Sequence, residues 1–400
     1  MKKEFFSKLV QYSRVSLSYA VYAASYLIPK QNNLWVFIGW RRSKEREIFA
    51  ENTKYFFLHA HHEVKVVRPI WIGMDKKICK ILTEQGYEAY PLKSFKGIFY
   101  SLRASHTILS GLLQLENWRL SGNSKLIQLW HGKSLKKTGH NSPYGLGRYD
   151  KFLNPQLFAR IDTFVAISEF LSDFITQDFL IPRENILVSG IPKHDALLVT
   201  LPGHNIDVDN TLLTLLDTLK SNGARRIMLY GPTFRPDGSN PLGAIDLETL
   251  NKNLEANNDH CIISLHPKFS TRDWIPNVNL KQIHFIQGDM DRYPLMNRFD
   301  ALITDYSSLS IDFLYMGKPT ILYAYDYEKY GNDMGVYEEL WSIIPGPKVF
   351  SFEDLITALA YKDGEYKEEI AIAQNKIFTF RDNQSSVRIT KALLENESKG

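Results

Sequence analysis

Cysteine is scarce in this chain. Among 400 residues there are two, Cys79 and Cys261, far apart and in no ligand spacing. That excludes a disulfide-stapled scaffold and a zinc-ribbon site, and it is compatible with a cytosolic compartment. Familiar phosphate and nucleophile signatures are also missing. Nothing reads GxxxxGK followed by Ser or Thr, no GxGxxG follows an apolar run, and no GxSxG occurs. A P-loop NTPase, a dinucleotide enzyme and a hydrolase elbow are therefore disfavoured. No His, Cys, Asp or Glu cluster has a standard metal-ligand spacing, so no metal or cofactor is demanded. Charge of one sign is not in large excess. The net charge of +4 and pI near 8.7 are too weak to argue for nucleic acid, and suit an anionic substrate or an anionic membrane surface equally well. Low-complexity tracts and short repeats are absent.

What is present is an ordinary globular balance, 44% hydrophobic and 23% charged, in a chain long enough for two cores and two domains. The N-terminus is the one place where a targeting segment needs consideration. Met1 to Lys8 carries three lysines and two phenylalanines, and Leu9 to Ile28 is rich in Val, Leu, Tyr and Ala before Pro29. Arg14, four serines and the lack of a small-residue cleavage site speak against a signal peptide. The stretch is too polar for a confident membrane span. Two readings stay open: a basic, aromatic helix lying in the bilayer interface, or a helix packed on the protein's own surface. Both place the protein on the cytoplasmic side without a cleaved signal.

From Leu34 onward, strands alternate with helices. Leu34–Gly39, Val64–Ile72, a short strand near Ala89, His106–Leu109, Leu126–Trp130, Thr163–Ile167 and Ile186–Val188 read as strands. Helices are expected over Glu47–His61, Lys76–Gln85, Phe95–Leu102 and Ser168–Phe179, with Ser168 as N-cap. A polar stretch bearing Pro and Gly, Leu201–Asn210, reads as a linker. The alternation then resumes with helix Thr211–Ser221, strand Arg226–Tyr230, helix Leu247–Ala256, strand Cys261–Leu265 and strand Ile283–Gln287. Helices over Phe352–Ala360, Lys367–Phe378 and Ser385–Glu395 end the chain. The pattern predicts an α/β protein with two doubly wound, Rossmann-like halves and a ligand in the cleft between them, at the carboxyl ends of the strands.

The most informative stretch runs from Ala301 to Asp326, reading strand, polar turn, helix, strand. Ser307 and Ser308 stand where its helix begins. They are candidates either for holding a phosphate on free backbone N–H groups or for ordinary capping. Other strand ends carry cations and histidines. Leu126–Trp130 runs into His131 and Gly132, followed by Lys133, Lys136, Lys137 and His140. A histidine there suits a general base near phosphate, or is a structural histidine in a solvated basic loop. Arg226–Tyr230 leads to Thr233 and Arg235, whose guanidinium suits a bidentate phosphate contact. Cys261–Leu265 leads to His266 and Lys268, and Ser189–Asp195 precedes the linker. The coincidence of these ends points to an anionic, diphosphate-like ligand.

Five segments in this order, QLWHGKSLKKTG (Gln128–Gly139), SGIPKHD (Ser189–Asp195), YGPTFRPDG (Tyr230–Gly238), SLHPK (Ser264–Lys268) and LITDYSSLSIDFLYMGKPTILYAYDYEKY (Leu302–Tyr330), resemble the CDP-glycerol glycerophosphotransferase family of teichoic acid primases and polymerases. The resemblance implies a GT-B fold: a segment 1–30 that associates with membrane, an acceptor domain over 31–200, a CDP-alditol donor domain over 201–375, and C-terminal helices over 376–400. It implies transfer of glycerol phosphate from CDP-glycerol to a hydroxyl of an acceptor, undecaprenyl-diphosphate-linked or polymeric, with release of CMP at the cytoplasmic membrane face. It casts His131 as the base and His266 on the diphosphate side. Gly132, Lys133, Gly190, Pro192, Thr233, Arg235, Asp305, Ser307, Ser308 and Asp326 become substrate-binding. No cofactor, metal or nucleic acid is implied, and a homo-oligomer is left open. Departures from the family pattern are Phe234 in place of Trp, Ser134 in place of Pro and Lys193 in place of Arg. CDP-ribitol enzymes share the motifs, and a GT-B glycosyltransferase using a nucleotide sugar or a non-catalytic membrane scaffold are the competing readings.

Overall fold

The computed structural model describes residues 2–41, 47–111, 117–265, 280–287 and 291–397. The chain divides into two units. Unit 1 takes in Met1–His131, Tyr144–Asp207 and Phe380–Gly400, and unit 2 takes in Gly132–Pro143 and Val208–Thr379.

Unit 1 starts with α1 (Lys2–Ser25), β1 (Gln31–Ile38), the antiparallel pair β2 (Trp40–Arg41) and β3 (Glu47–Ile48), and α2 (Glu51–Glu63). It continues through β4 (Arg68–Gly73), α3 (Lys76–Glu84), β5 (Ala89–Pro91), α4 (Phe95–Arg103), β6 (Ala104–Leu109), β7 (Lys125–Gln128), β8 (Thr163–Ala166), α5 (Glu169–Phe179), β9 (Ile186–Val188) and α6 (Pro192–Leu198). The sheet order is β5-β4-β1-β6-β7-β8-β9, with every neighbour parallel. Strands covered on both faces must be apolar throughout, and Leu34 to Ile38 are all buried. On one face lies a core of Leu34, Val36, Ile70, Ile72, Leu126 and Phe164. On the other, Phe56 and Phe57 of α2 pack against Trp35, Phe37 and Trp71.

Unit 2 holds α7 (Asn210–Ser221), β10 (Arg226–Gly231), α8 (Leu247–Asn257), β11 (Asp259–Leu265), β12 (Ile283–Gln287), β13 (Ala301–Thr304), α9 (Leu309–Tyr315), β14 (Thr320–Tyr323), α10 (Tyr327–Met334), α11 (Glu338–Ile343), β15 (Lys348–Val349), α12 (Phe352–Ala358) and α13 (Lys367–Ile377). Its parallel sheet runs β12-β11-β10-β13-β14-β15. In both sheets the chain lays down three strands outward and then returns to the other side of the first. The reversal falls between β1 and β6 in unit 1 and between β10 and β13 in unit 2. Loops diverge at such a switch point and open a crevice at the strands' carboxyl ends.

The alternation read from the sequence is observed, with shifts that tertiary contacts explain. The helix expected from Glu47 begins at Glu51, because Glu47 is pulled into a short strand. Its buried carboxylate accepts from Trp71 Nε1 at 3.0 Å, from Asp75 N at 2.8 Å and from Met74 N. The strand expected from Val64 begins at Arg68. Ser168 caps α5 as anticipated, its Oγ accepting from Leu171 N at 3.1 Å.

Two segments group differently from the expected domain boundaries. Gly132–Pro143 falls in unit 2, and residues from Phe380 on return to unit 1. The last helix, α14 (Ser385–Glu397), is capped by Asp195, which accepts from Ser385 N at 3.0 Å and from Ser386 N and Oγ at 2.8 Å. Helix α1 packs on the rest of unit 1. Tyr19 and Tyr22 each bring a ring within 5.2 Å of Trp118, and Gly122 N donates to Ser25 Oγ at 3.0 Å. Among the described residues no helix is long and apolar enough to cross a membrane.

Candidate functional site

In unit 1 the chain leaves β7 through Leu129 and Trp130 to His131. Trp130 takes a left-handed backbone, φ 54°, and Gly132 follows at φ 106°. A left-handed conformation costs a bulky L-residue about 1–2 kcal/mol, and here buried polar groups hold it. Gln128 Oε1 accepts from Trp130 N at 2.9 Å, and Asn52 Nδ2 donates to the Trp130 carbonyl at 2.7 Å. The turn leaves His131 half-buried beside Trp130 and Trp40, with ring centroids at 4.3 and 5.4 Å. Its Nδ1 lies 3.4 Å from the Ser110 carbonyl at the end of β6. An imidazole whose Nδ1 proton faces a carbonyl can act as a base through Nε2.

Gly190 and Pro192 lie between the end of β9 and the first turn of α6. Gly190 has φ 79°, and a Cβ there would sit 2.4 Å from Ser385 Oγ, so packing of α14 alone requires glycine. Pro192 occupies the first turn of α6, where a missing N–H costs nothing. The next residue, Lys193, is buried and sends Nζ 2.9 Å to the His131 carbonyl.

In unit 2 the switch point collects Thr233, Arg235, Asp305, Ser307, Ser308 and Asp326. Asp305 accepts from Thr233 N at 2.9 Å, Thr233 Oγ1 at 2.5 Å and Tyr306 N at 2.6 Å. Arg235 is 2% exposed. It donates from Nη1 to Asp305 at 2.8 Å and to the Thr233 carbonyl at 2.7 Å. From Nε and Nη2 it donates to Asp326 at 2.6 and 2.9 Å. Tyr306, Tyr325 and Tyr330 surround the guanidinium at 5.0–5.4 Å. Burial opposes its charge, and Asp305 and Asp326 more than offset that, so its pKa is raised. The guanidinium expected to grip a phosphate is thus committed to two carboxylates, and it ties the loop after β10 to the loops after β13 and β14.

Ser307 and Ser308 differ in what they do at the start of α9. Ser307 Oγ accepts from Leu309 N at 3.2 Å and so caps the short α9. Ser308 makes no side-chain cap hydrogen bond. The strap Gly132–Pro143 is fastened to the same switch point. Leu135 N donates to the Tyr306 carbonyl at 3.2 Å, Tyr337 N to the Leu135 carbonyl at 2.8 Å, and Lys137 N to the Gly335 carbonyl at 2.9 Å. Lys133 is buried with its ammonium 4.1 Å from the Tyr337 ring centroid. Burial lowers the pKa of Lys136, which Asp305 opposes and Arg235 reinforces. Lys136 therefore joins a cluster of two cations and two carboxylates, a membership its place in a basic run did not single out.

His266 lies outside the described residues. Among those described, no group of three or more His, Cys, Asp or Glu side chains is arranged to hold a metal ion. Sequence reasoning also missed Asn52, Thr53 and Ser110. Thr53 N and Oγ1 bond Ser110 Oγ at 2.8 and 2.5 Å, all buried, fixing the strand end whose carbonyl faces His131. The available signal was the polar run Glu51–Lys54 opening a helix that continues with Tyr55, Phe56, Phe57 and Leu58.

A family model described as CDP-glycerol:poly(glycerophosphate) glycerophosphotransferase matches residues 20–395. A teichoic acid glycerol-phosphate transferase of Staphylococcus aureus (strain NCTC 8325 / PS 47) is 26% identical over 99% of this chain and 100% of its own length. The teichoic acid ribitol-phosphate polymerase TarK of the same strain is 29% identical over 69% of this chain and 53% of its own length. The chain thus spans about half the length of that polymerase. Among solved structures, the wall teichoic acid polymerase TagF superposes with a TM-score of 0.71 at 19% identity, covering 100% of this chain and 99% of that one. The likeness gives the fold, GT-B, with its two Rossmann-like units.

Proposed function

We propose that this chain, which belongs to the CDP-glycerol:poly(glycerophosphate) glycerophosphotransferase family, transfers glycerol phosphate from CDP-glycerol to a hydroxyl of a teichoic acid precursor or polymer and releases CMP. The observation that carries the reading is His131, delivered to the carboxyl end of a parallel strand with Nδ1 facing a carbonyl. Nε2 takes the proton of the acceptor hydroxyl. The acceptor oxygen bonds to the phosphorus that bears glycerol, and the bond from that phosphorus to the bridging oxygen breaks, its electron pair leaving with CMP. Such in-line displacement needs positioning and charge stabilisation more than covalent chemistry.

In this reading Thr233, Ser308, Lys133 and Lys136 serve the donor's diphosphate. Ser307, Arg235, Asp305 and Asp326 keep the loops of the unit 2 switch point in place, and Gly132, Gly190 and Pro192 set the backbone around His131. The family resemblance assigns His266 the leaving-group side. A TagF structure obtained with CDPG supports the donor class. A ribitol donor is the second reading, because the TarK and TarL relatives at 29% identity are ribitol-phosphate polymerases. Purified protein given CDP-glycerol, CDP-ribitol or a UDP-sugar, each with a lipid-linked glycerol-phosphate acceptor analogue, separates them. CMP from CDP-glycerol supports the first reading, CMP from CDP-ribitol alone the second, and UDP release overturns both.

Attachment to the cytoplasmic membrane face, through an undecaprenyl-diphosphate-linked or polymeric acceptor and the lipid surface, belongs to the same proposal. Helix α1 turns Tyr19 and Tyr22 inward and exposes Tyr12 and Leu17. Beside it, with Lys30 Nζ donating to the Leu102 carbonyl at 2.6 Å, α4 exposes Phe95, Ile98 and Phe99. No acidic residue lies between Glu4 and Glu45 or between Glu88 and Glu116, which suits an anionic bilayer. Sedimentation with anionic vesicles is expected to weaken in Leu17→Glu and Phe95→Glu. Unchanged sedimentation of both would contradict this attachment.

A further inference from the structure

We infer that Lys193, acting with Asn52, is a positioning residue for His131, an assignment that rests on reading His131 as the base. The Trp130 N–H, the Trp130 carbonyl and the His131 carbonyl are each held by a buried side chain. Asn52 Nδ2 donates to the Trp130 carbonyl at 2.7 Å and lies 3.4 Å from the Leu129 carbonyl. Gln128 Oε1 accepts from Trp130 N at 2.9 Å. Lys193 Nζ donates to the His131 carbonyl itself at 2.9 Å. The Asn52 amide has only one workable orientation, since its Oδ1 accepts from Lys193 N at 2.9 Å while its Nδ2 faces carbonyls. Asn52 thereby joins the first turn of α6 to the end of β7.

These bonds hold a conformation that the local sequence resists. Trp130 is a bulky residue at φ 54°, and without its clamps it would relax toward negative φ. Rotating that one residue would swing His131 away from the Ser110 carbonyl. Lys193 is 2% exposed and Asn52 is fully buried, so neither presents a surface to solvent. Lys193 acts through the His131 carbonyl and Asn52 through the Trp130 carbonyl before it, rather than on substrate. A misplacement of about 1 Å in a catalytic group costs on the order of 100-fold in rate.

The test uses the full chain in the CMP-release assay with donor varied at saturating acceptor. Lys193→Met is expected to lower kcat by about 10- to 100-fold with KM for the CDP-alditol unchanged, and to displace the acid limb of the kcat–pH profile. Lys193→Arg, which still reaches a carbonyl with a cation, is expected to restore most of the rate. If Lys193→Met does not fold, as judged by its thermal transition, Asn52→Ser tests the same clamp and is expected to show the same kcat-only loss. A folded Lys193→Met enzyme with wild-type kcat, or a loss confined to KM, overturns the inference. His131→Ala with undiminished turnover would instead overturn the reading beneath it.

Discussion

The two switch points share a strand order and use opposite means. In unit 1 an imidazole sits half-buried at a strand end, with Asn52, Gln128 and Lys193 holding the peptide groups next to it and Thr53 holding the Ser110 hydroxyl. In unit 2 the equivalent corner is filled by ions, Arg235 between Asp305 and Asp326, walled by tyrosines. The first arrangement orients one ring through neighbouring peptide groups. The second is locked, because a buried ion pair that loses one member leaves an uncompensated charge. A shared topology thus prescribes where a site lies and leaves its chemistry to a few side chains.

The contrast predicts different failures. His131→Ala should lower turnover by about 100- to 10,000-fold while its unfolding midpoint stays near wild type, as read by single-turnover CMP release beside a urea titration. Arg235→Met should do the reverse in order of cause. Unit 2 loses about 3–5 kcal/mol of stability, visible as an earlier urea transition, and donor binding falls with it. Equal stability of the two variants would erase the distinction.

A pH titration sharpens the picture of unit 1. Burial lowers His106 to about 4 from its usual 6.5. The folded state then binds fewer protons than the unfolded one between these values, and stability rises with pH across that window. Burial raises Glu47 to about 7 from 4.5, so its effect has the opposite sign and stability falls as pH rises across its window. Each is worth about 3 kcal/mol, and between about pH 4.5 and 6.5 the two nearly cancel. His106→Asn should unmask the Glu47 slope, with the urea midpoint falling from pH 5 to 7. A midpoint that still stays flat would show that Glu47 is ionised throughout.

The smallest effect concerns the paired serines. Ser307→Ala should cost about 1 kcal/mol as a lost cap. Ser308→Ala should cost less than about 0.5 kcal/mol and weaken CDP-glycerol binding, measured by calorimetry. Donor affinity unchanged in Ser308→Ala would remove that residue from the site.

Much of this architecture was legible because parallel strands buried on both faces leave runs such as Leu34–Ile38 and Ala301–Ile303 in the sequence, punctuated by polar turns. His131 was legible because it closes such a run. What was hidden depends on partners distant in the chain. Nothing near Arg235 announces that its guanidinium will be taken by Asp326, 91 positions later. Nothing near Asn52 foretells a bond to Trp130, 78 positions away. The strap after His131 read as a loop of the first half because of its place in the sequence. Its hydrogen bonds to Tyr306, Gly335 and Tyr337 carry it into unit 2.

The most direct test of the division of labour is the affinity of His131→Ala for CDP-glycerol, measured by calorimetry alongside its CMP release. The account predicts donor binding within about threefold of wild type, less than about 1 kcal/mol, with turnover lowered by about 100- to 10,000-fold. Loss of donor binding together with turnover would place His131 in the donor's binding site and contradict its assignment as the base.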